Sequence, residues 1–334
     1  MRKIFFLLLI FAFLVSPIAA QDDPLMTALR LIRAGDFEQA ITIYDDYLAD
    51  NPDDAEVYAF RALVYAELED YDTAFEGIQT ALDVAEATQT PQILALRAEL
   101  YVRSGEIDLA IADYDSAVEL DPEYAVAYYN RGILYDGLED YDHALADYTQ
   151  VITLMPDAIN TYLSRARIYS LQENAQAALD DYDTVIGLNP DLPEPYIMRG
   201  HANTLAENTQ SAAADYAEWL LHIETERRTH TQVSADLNRR LVMRFGQIHE
   251  LPFEGIAGQH LSVTANSPTV DSLVVLLGPD DRPLVADDDS GDDLNAAILN
   301  FALPETGRYT LIVGHARGGW DGITALSLSL SQVL

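Results

Sequence analysis

The chain has 334 residues, enough for two ordinary domains, and carries 55 acidic against 19 basic side chains, a formal charge of −36. A polyanionic partner needs a basic footprint, so nucleic acid is excluded, and a content of 49% hydrophobic residues sets the chain apart from an acidic disordered tail. Cysteine is absent, which removes disulfides, thiolate metal sites and cysteine nucleophiles.

Arg2 and Lys3 precede an apolar run from Phe5 to Val15, followed by Ser16, Pro17 and the small pair Ala19–Ala20. Charged, apolar and small-residue regions in that order predict a secretory signal peptide over residues 1–20. The alternative is an uncleaved N-terminal anchor. The run is shorter than the roughly 20 residues a spanning helix needs, and no later stretch approaches that length. The expectation is a secreted or cell-envelope protein with no membrane span once the leader is removed.

From residue 21 the sequence repeats. Ala40 and Ala74 stand 34 residues apart and, after one step of 36, Ala110, Ala144, Ala178 and Ala212 continue at 34. Tyr114, Tyr148, Tyr182 and Tyr216 keep the same interval, and Pro122, Pro156 and Pro190 punctuate it. Within a unit, as in Tyr128, Arg131, Gly132 and Tyr135 and then Tyr141, Ala144 and Tyr148, the marked residues fall three or four apart on two successive stretches. That spacing predicts a helical hairpin closed by a proline. Arg61, Arg97, Arg131, Arg165 and Arg199 form one column, and Asp113, Asp147, Asp181 and Asp215 another. An exposed arginine strip would suit an anionic polymer. Arginines beside the small core residue are better explained as bidentate partners of buried carboxylates.

These features resemble the tetratricopeptide repeat family, in six units: 21–54, 55–88, 91–124, 125–158, 159–192 and 193–226. The resemblance implies an all-α solenoid whose first helices line a concave groove for a peptide or protein. The groove residues it implies are Phe60, Tyr129, Asn130, Ile133, Leu163, Arg167, Ile197 and His201. The branch of the family that grips a C-terminal carboxylate uses lysine and asparagine there. Here lysine is missing from the repeats and Glu99 stands where a donor would be wanted, so that clamp is not expected.

Residues 227–239, polar and rich in Thr, His, Gln and Ser, read as a linker. Beyond them the periodicity alternates, and segments 248–254, 259–265, 272–277, 296–303, 309–314 and 324–330 read as strands separated by Gly, Pro and Ser turns. Short strands without intervening helices predict an all-β, jelly-roll-like sandwich over 240–334. Gly258–Val263, Asp271 leading to Gly278–Pro279, Asp287–Asp289 and Leu303–Leu311 resemble the bacterial pre-peptidase C-terminal domain, an accessory domain of exported proteins. The acidic turn Asp287, Asp289, Asp292, Asp293 and Asn295 offers oxygen ligands for calcium; the alternative is a solvated turn that binds no cofactor. No metalloprotease helix, glycine-flanked serine or phosphate loop occurs: His249-Glu250 runs into Pro252, which breaks a helix. The expected function is therefore a non-catalytic, exported protein-interaction scaffold. The alternative is an accessory polymer-binding module carried by the sandwich, with the solenoid as spacer.

Overall fold

A computed structural model describes residues 23–221, 228–230, 236–243, 248–267, 271–288, 295–317 and 322–331. The predicted leader and residues 289–294 of the acidic turn lie outside them. The chain divides into two compact units, one running to Pro156 and one from Asp157.

The first unit holds four helical hairpins: α1 (Pro24–Ala34) with α2 (Phe37–Asp50), α3 (Ala55–Glu67) with α4 (Tyr71–Val84), α5 (Thr90–Ser104) with α6 (Ile107–Leu120), and α7 (Ala125–Gly137) with α8 (Tyr141–Leu154). Helix starts are fixed by side-chain caps: Asp23, Asp54, Asp70 and Asp140 accept from the backbone N–H of Leu25, Val57, Thr73 and His143. Close approach of paired helices depends on the small residues. Ala28, Ala62, Ala98, Ala40, Ala74, Ala110 and Ala144 are fully buried. At Gly132 an added Cβ would come within 2.9 Å of the Tyr148 ring, so only glycine lets that tyrosine fill the gap.

The arginine and aspartate columns interlock. Arg97 holds Asp113 through Nε and Nη2, both at 2.7 Å. Arg131 holds Asp147 in the same fork at 2.9 and 2.7 Å, and its Nη1 reaches Asp115 of the preceding hairpin at 2.6 Å. Arg61 pairs only backwards, with Asp45, because Gly77 occupies the forward aspartate position. These arginines are fasteners between helices.

The second unit opens with two more hairpins, α9 (Ile159–Leu171) with α10 (Ala175–Leu188) and α11 (Glu194–Leu205) with α12 (Thr209–Leu221). The same forks recur: Arg165 on Asp181 at 2.9 and 2.7 Å, and Arg199 on Asp215 with a further bond to Asp183 at 2.5 Å. Among the described residues nine strands follow: β1 (Arg228–His230), β2 (Asp236–Met243), β3 (Ile248–Gly255), β4 (His260–Asn266), β5 (Asp271–Leu277), β6 (Pro283–Asp287), β7 (Ala296–Ala302), β8 (Gly307–Arg317) and β9 (Gly322–Ser331). They form one sheet in the order β1-β3-β8-β5-β6 and another in the order β2-β9-β4-β7. Pairing is antiparallel except for the parallel β1–β3 contact. Leu251, Phe253, Leu261, Val263, Val274, Leu311 and Leu328 belong to the core they enclose.

One expectation about this region needs correction. The predicted linker contains β1 and the first half of β2, and β2 pairs with β9 over eight residues, from Asp236↔Ser329 to Met243↔Gly322. The sandwich therefore starts earlier than residue 240. The last helix packs directly onto the first sheet. Tyr216, Ala217 and Leu220 of α12 share a buried cluster with Ile248, Leu273, Val275 and Ile312 of the first sheet. Apolar residues on both faces of β5 explain this: alternate residues serve the sandwich core, and Leu273 and Val275 receive the helix.

Candidate peptide-binding face

In the first unit, the first helices of three consecutive hairpins, α3, α5 and α7, enclose a cavity of about 340 Å³. Ala66 and Glu67 come from α3, Glu99, Val102 and Arg103 from α5, and Asn130, Ile133 and Leu134 from α7. Tyr71 of α4 and Tyr114 of α6 complete the wall. Helical spacing delivers these groups together: Glu99, Val102 and Arg103 lie three and four apart on one face of α5, as do Asn130, Ile133 and Leu134 on α7.

Three of the side chains lining the cavity are tied together. Arg103 pairs with Glu67, and the Tyr71 hydroxyl donates to the Arg103 carbonyl at 3.3 Å. Asn130 and Tyr114 stand in the same wall of the cavity. Glu99 is only 7% exposed, yet its carboxylate accepts no hydrogen bond among the described residues. Burial, reinforced by Glu67 and opposed by Arg103, pushes the Glu99 carboxyl up to about 6. Burial likewise raises the Tyr114 hydroxyl well above its ordinary value.

The residues expected in the groove separate into three groups. Asn130 and Ile133 line the cavity. Tyr129 is half-buried, its ring 6.0 Å from that of Tyr148, and Phe60 is buried in the core of the first hairpins. In the second unit, Leu163 packs against Ala166, Ala178 and Tyr182, and Arg167 is exposed. Ile197 and His201 serve a different surface. Ile197 joins the cluster that unites α12 with the first sheet, and His201 pairs with Asp288, which is 1% exposed. Sequence reasoning missed Glu67, Tyr71, Arg103 and Tyr114. For Glu99 a signal existed: a carboxylate directly beside the buried Ala98, with no arginine-column partner.

Of the acidic turn, Asp287 accepts from the Ala297 N–H at 2.7 Å and Asn295 from the Ser267 N–H at 3.0 Å, so both fasten strands. Asp289, Asp292 and Asp293 lie outside the described residues. Among the described residues no cluster of three metal-ligating side chains forms and no helix is long and apolar enough to cross a membrane.

Comparison with known proteins places the helical part. The chain matches family models described as TPR repeat over residues 98–138 and as tetratricopeptide repeat over 125–158 and 25–89. These segments are tetratricopeptide repeats, and the fold is a repeat solenoid followed by a β-rich region without a closed barrel. The C-terminal part of a TPR repeat-containing protein from Cytophaga hutchinsonii superposes with a TM-score of 0.51 at 20% identity, covering 59% of this chain and 78% of that one. PilF from Pseudomonas aeruginosa superposes with a TM-score of 0.50 at 16% identity, covering 60% and 88%. At such identities the likeness concerns the fold alone. No curated protein matches the chain.

Proposed function

We propose that this protein is an exported, non-catalytic scaffold that binds an extended peptide or protein segment along the first helices of its repeats. A tetratricopeptide solenoid is a protein-interaction scaffold by class; the groove and the export are our reading. The observation that carries it is the cavity between α3, α5 and α7, where apolar walls and a few fixed polar groups are presented together. Export is supported by the charged, apolar and small-residue order of residues 1–20. We read the sandwich as a pre-peptidase C-terminal type of domain, supported by the order of its turn motifs.

The test uses the full chain and a randomised peptide library. Selected peptides should bind the wild type, and replacing Tyr129 and Arg167 together by alanine should weaken capture at least about tenfold, on the order of 1.4 kcal/mol, at unchanged helix content. A folded double variant with unaltered capture refutes the role of these two residues. A library that yields no binder refutes the groove. Binding of glycans or envelope polymer by the chain, without peptide binding, would instead favour the sandwich as the functional module.

A further inference from the structure

The cavity between α3, α5 and α7 contains one ionisable group with nothing to do. Glu67 and Arg103 neutralise each other. Glu99 faces the cavity with no hydrogen-bond donor among the described residues, although it is nine-tenths buried. A carboxylate so placed is costly unless a donor arrives.

We infer that this cavity is a pocket for a lysine side chain of a protein partner, its ammonium held by Glu99 and its methylene stem lying against Val102, Ile133, Leu134 and Tyr71. The inference rests on the groove reading above and names the side chain that the groove selects. Three observations choose a cation over an anion. With Arg103 paired to Glu67, the uncompensated charge in the pocket is negative. Arg103 Nη1 has no acceptor among the described residues, but it is closed off from the surface and offers no handle to an incoming anion. The whole chain carries a charge of −36, which draws basic partners and repels acidic ones. A single carboxylate with apolar flanks suits a compact ammonium on a flexible stem better than the planar fork of a guanidinium. The occupant comes from another molecule, since Lys3 is the chain's only lysine.

The test is a titration of the full chain, methyl-labelled at Ile, Leu and Val, with N-acetyl-lysine methylamide, the norleucine analogue and the glutamate analogue. At pH 7.5 the lysine probe should shift the methyls of Val102, Ile133 and Leu134 saturably, at least about fivefold more tightly than norleucine, and the glutamate probe should not. Glu99→Gln should abolish that preference while keeping the helical spectrum. Leu134→Trp, which fills the pocket without touching charge, should abolish binding of both apolar stems. Lowering the pH to 5 should weaken the lysine probe about tenfold as Glu99 takes up its proton. Glu67, Arg103, Tyr71 and Tyr114 are the other titratable groups facing it, and Glu99→Gln separates their effect from that of Glu99. Equal binding of lysine and norleucine, preference for glutamate, or a lysine preference that survives Glu99→Gln would overturn the inference. The peptide library separates the two readings: peptides selected without a basic requirement leave the groove and remove the pocket's specificity, and a lysine-specific pocket without selected peptides leaves the pocket and removes the groove.

Discussion

Glu99 carries a measurable penalty in the unliganded protein. Its folded value near 6 stands above the ordinary 4.5, so the folded state prefers the protonated acid. Below about pH 4.5 both states hold the proton and nothing is lost. Between 4.5 and 6 the unfolded chain releases its proton first, and stability falls as pH rises; above 6 the full cost, about 2 kcal/mol, applies. Glu99→Gln should therefore stabilise the protein by roughly 1–2 kcal/mol at pH 7.5 and by nothing at pH 4. Denaturant titrations at the two pH values check this, and an equal gain at both would show that the carboxylate's charge is not the cause. Sequence alone marked Glu99 as misplaced for a carboxylate clamp. It did not disclose the cavity, because Glu67, Glu99 and Asn130 meet only through the placement of three successive helices.

At the scale of elements, the arginine column decides how firmly neighbouring helices hold together. Asp147 is 4% exposed and relies on the Arg131 fork, whereas Asp115, the second partner, is largely in solvent. Removing Arg131 alone leaves Asp147 buried without its cation, at a cost of about 3–5 kcal/mol. Replacing both, as in Arg131→Met with Asp147→Leu, should recover most of that loss, since an apolar pair of similar volume avoids desolvating two charges. Exposed Asp115 should matter by no more than about 1 kcal/mol. A double-mutant cycle followed by chemical denaturation checks the three values together. The columns were legible in the sequence because each recurs at the repeat interval, the arginines directly before a small residue. Six of the strands were legible as well, from their alternation. β1 and β2 were not: Thr229, His230, Asn238 and Arg239 read as a polar linker, and β2 finds its partner only in β9, far along the chain. β6 was missed for a related reason: it is a five-residue strand at a sheet edge, opened by a proline and only half-buried throughout.

For the molecule as a whole, the junction between α12 and the first sheet means that repeats and sandwich are not interchangeable modules. Leu220 is 1% exposed, and its Cδ2 lies 3.0 Å from the position a Cβ on Gly314 would take. Leu220→Ala should cost about 2–5 kcal/mol by leaving a cavity against the sheet, read as a lowered melting temperature of the second unit. If the last hairpin only rested on the sheet, the loss would be a fraction of that. A fragment beginning at residue 240 would uncover Leu273 and Val275 and lose half of β2, so such a fragment should aggregate where the full chain does not. This contact was not legible in the sequence, because Ala217 and Leu220 meet Leu273, Val275 and Ile312 from strands more than fifty residues further along the chain.

The position of β9 adds a matter of timing. It lies inside the second sheet, between β2 and β4, yet among the described strands it is the last to leave a ribosome. Each helical hairpin closes contacts a few tens of residues apart and can form as soon as it emerges, whereas the sandwich needs pairings that span nearly a hundred residues, as from Asp236 to Ser329. During synthesis, finished repeats therefore precede a sheet with a gap in its middle, and β2 and β4 stand as two unpaired edges until residues 322–331 arrive. The interval before that arrival is when the chain is most open to aggregation and to proteases, and its length is set by how quickly the final strand is delivered.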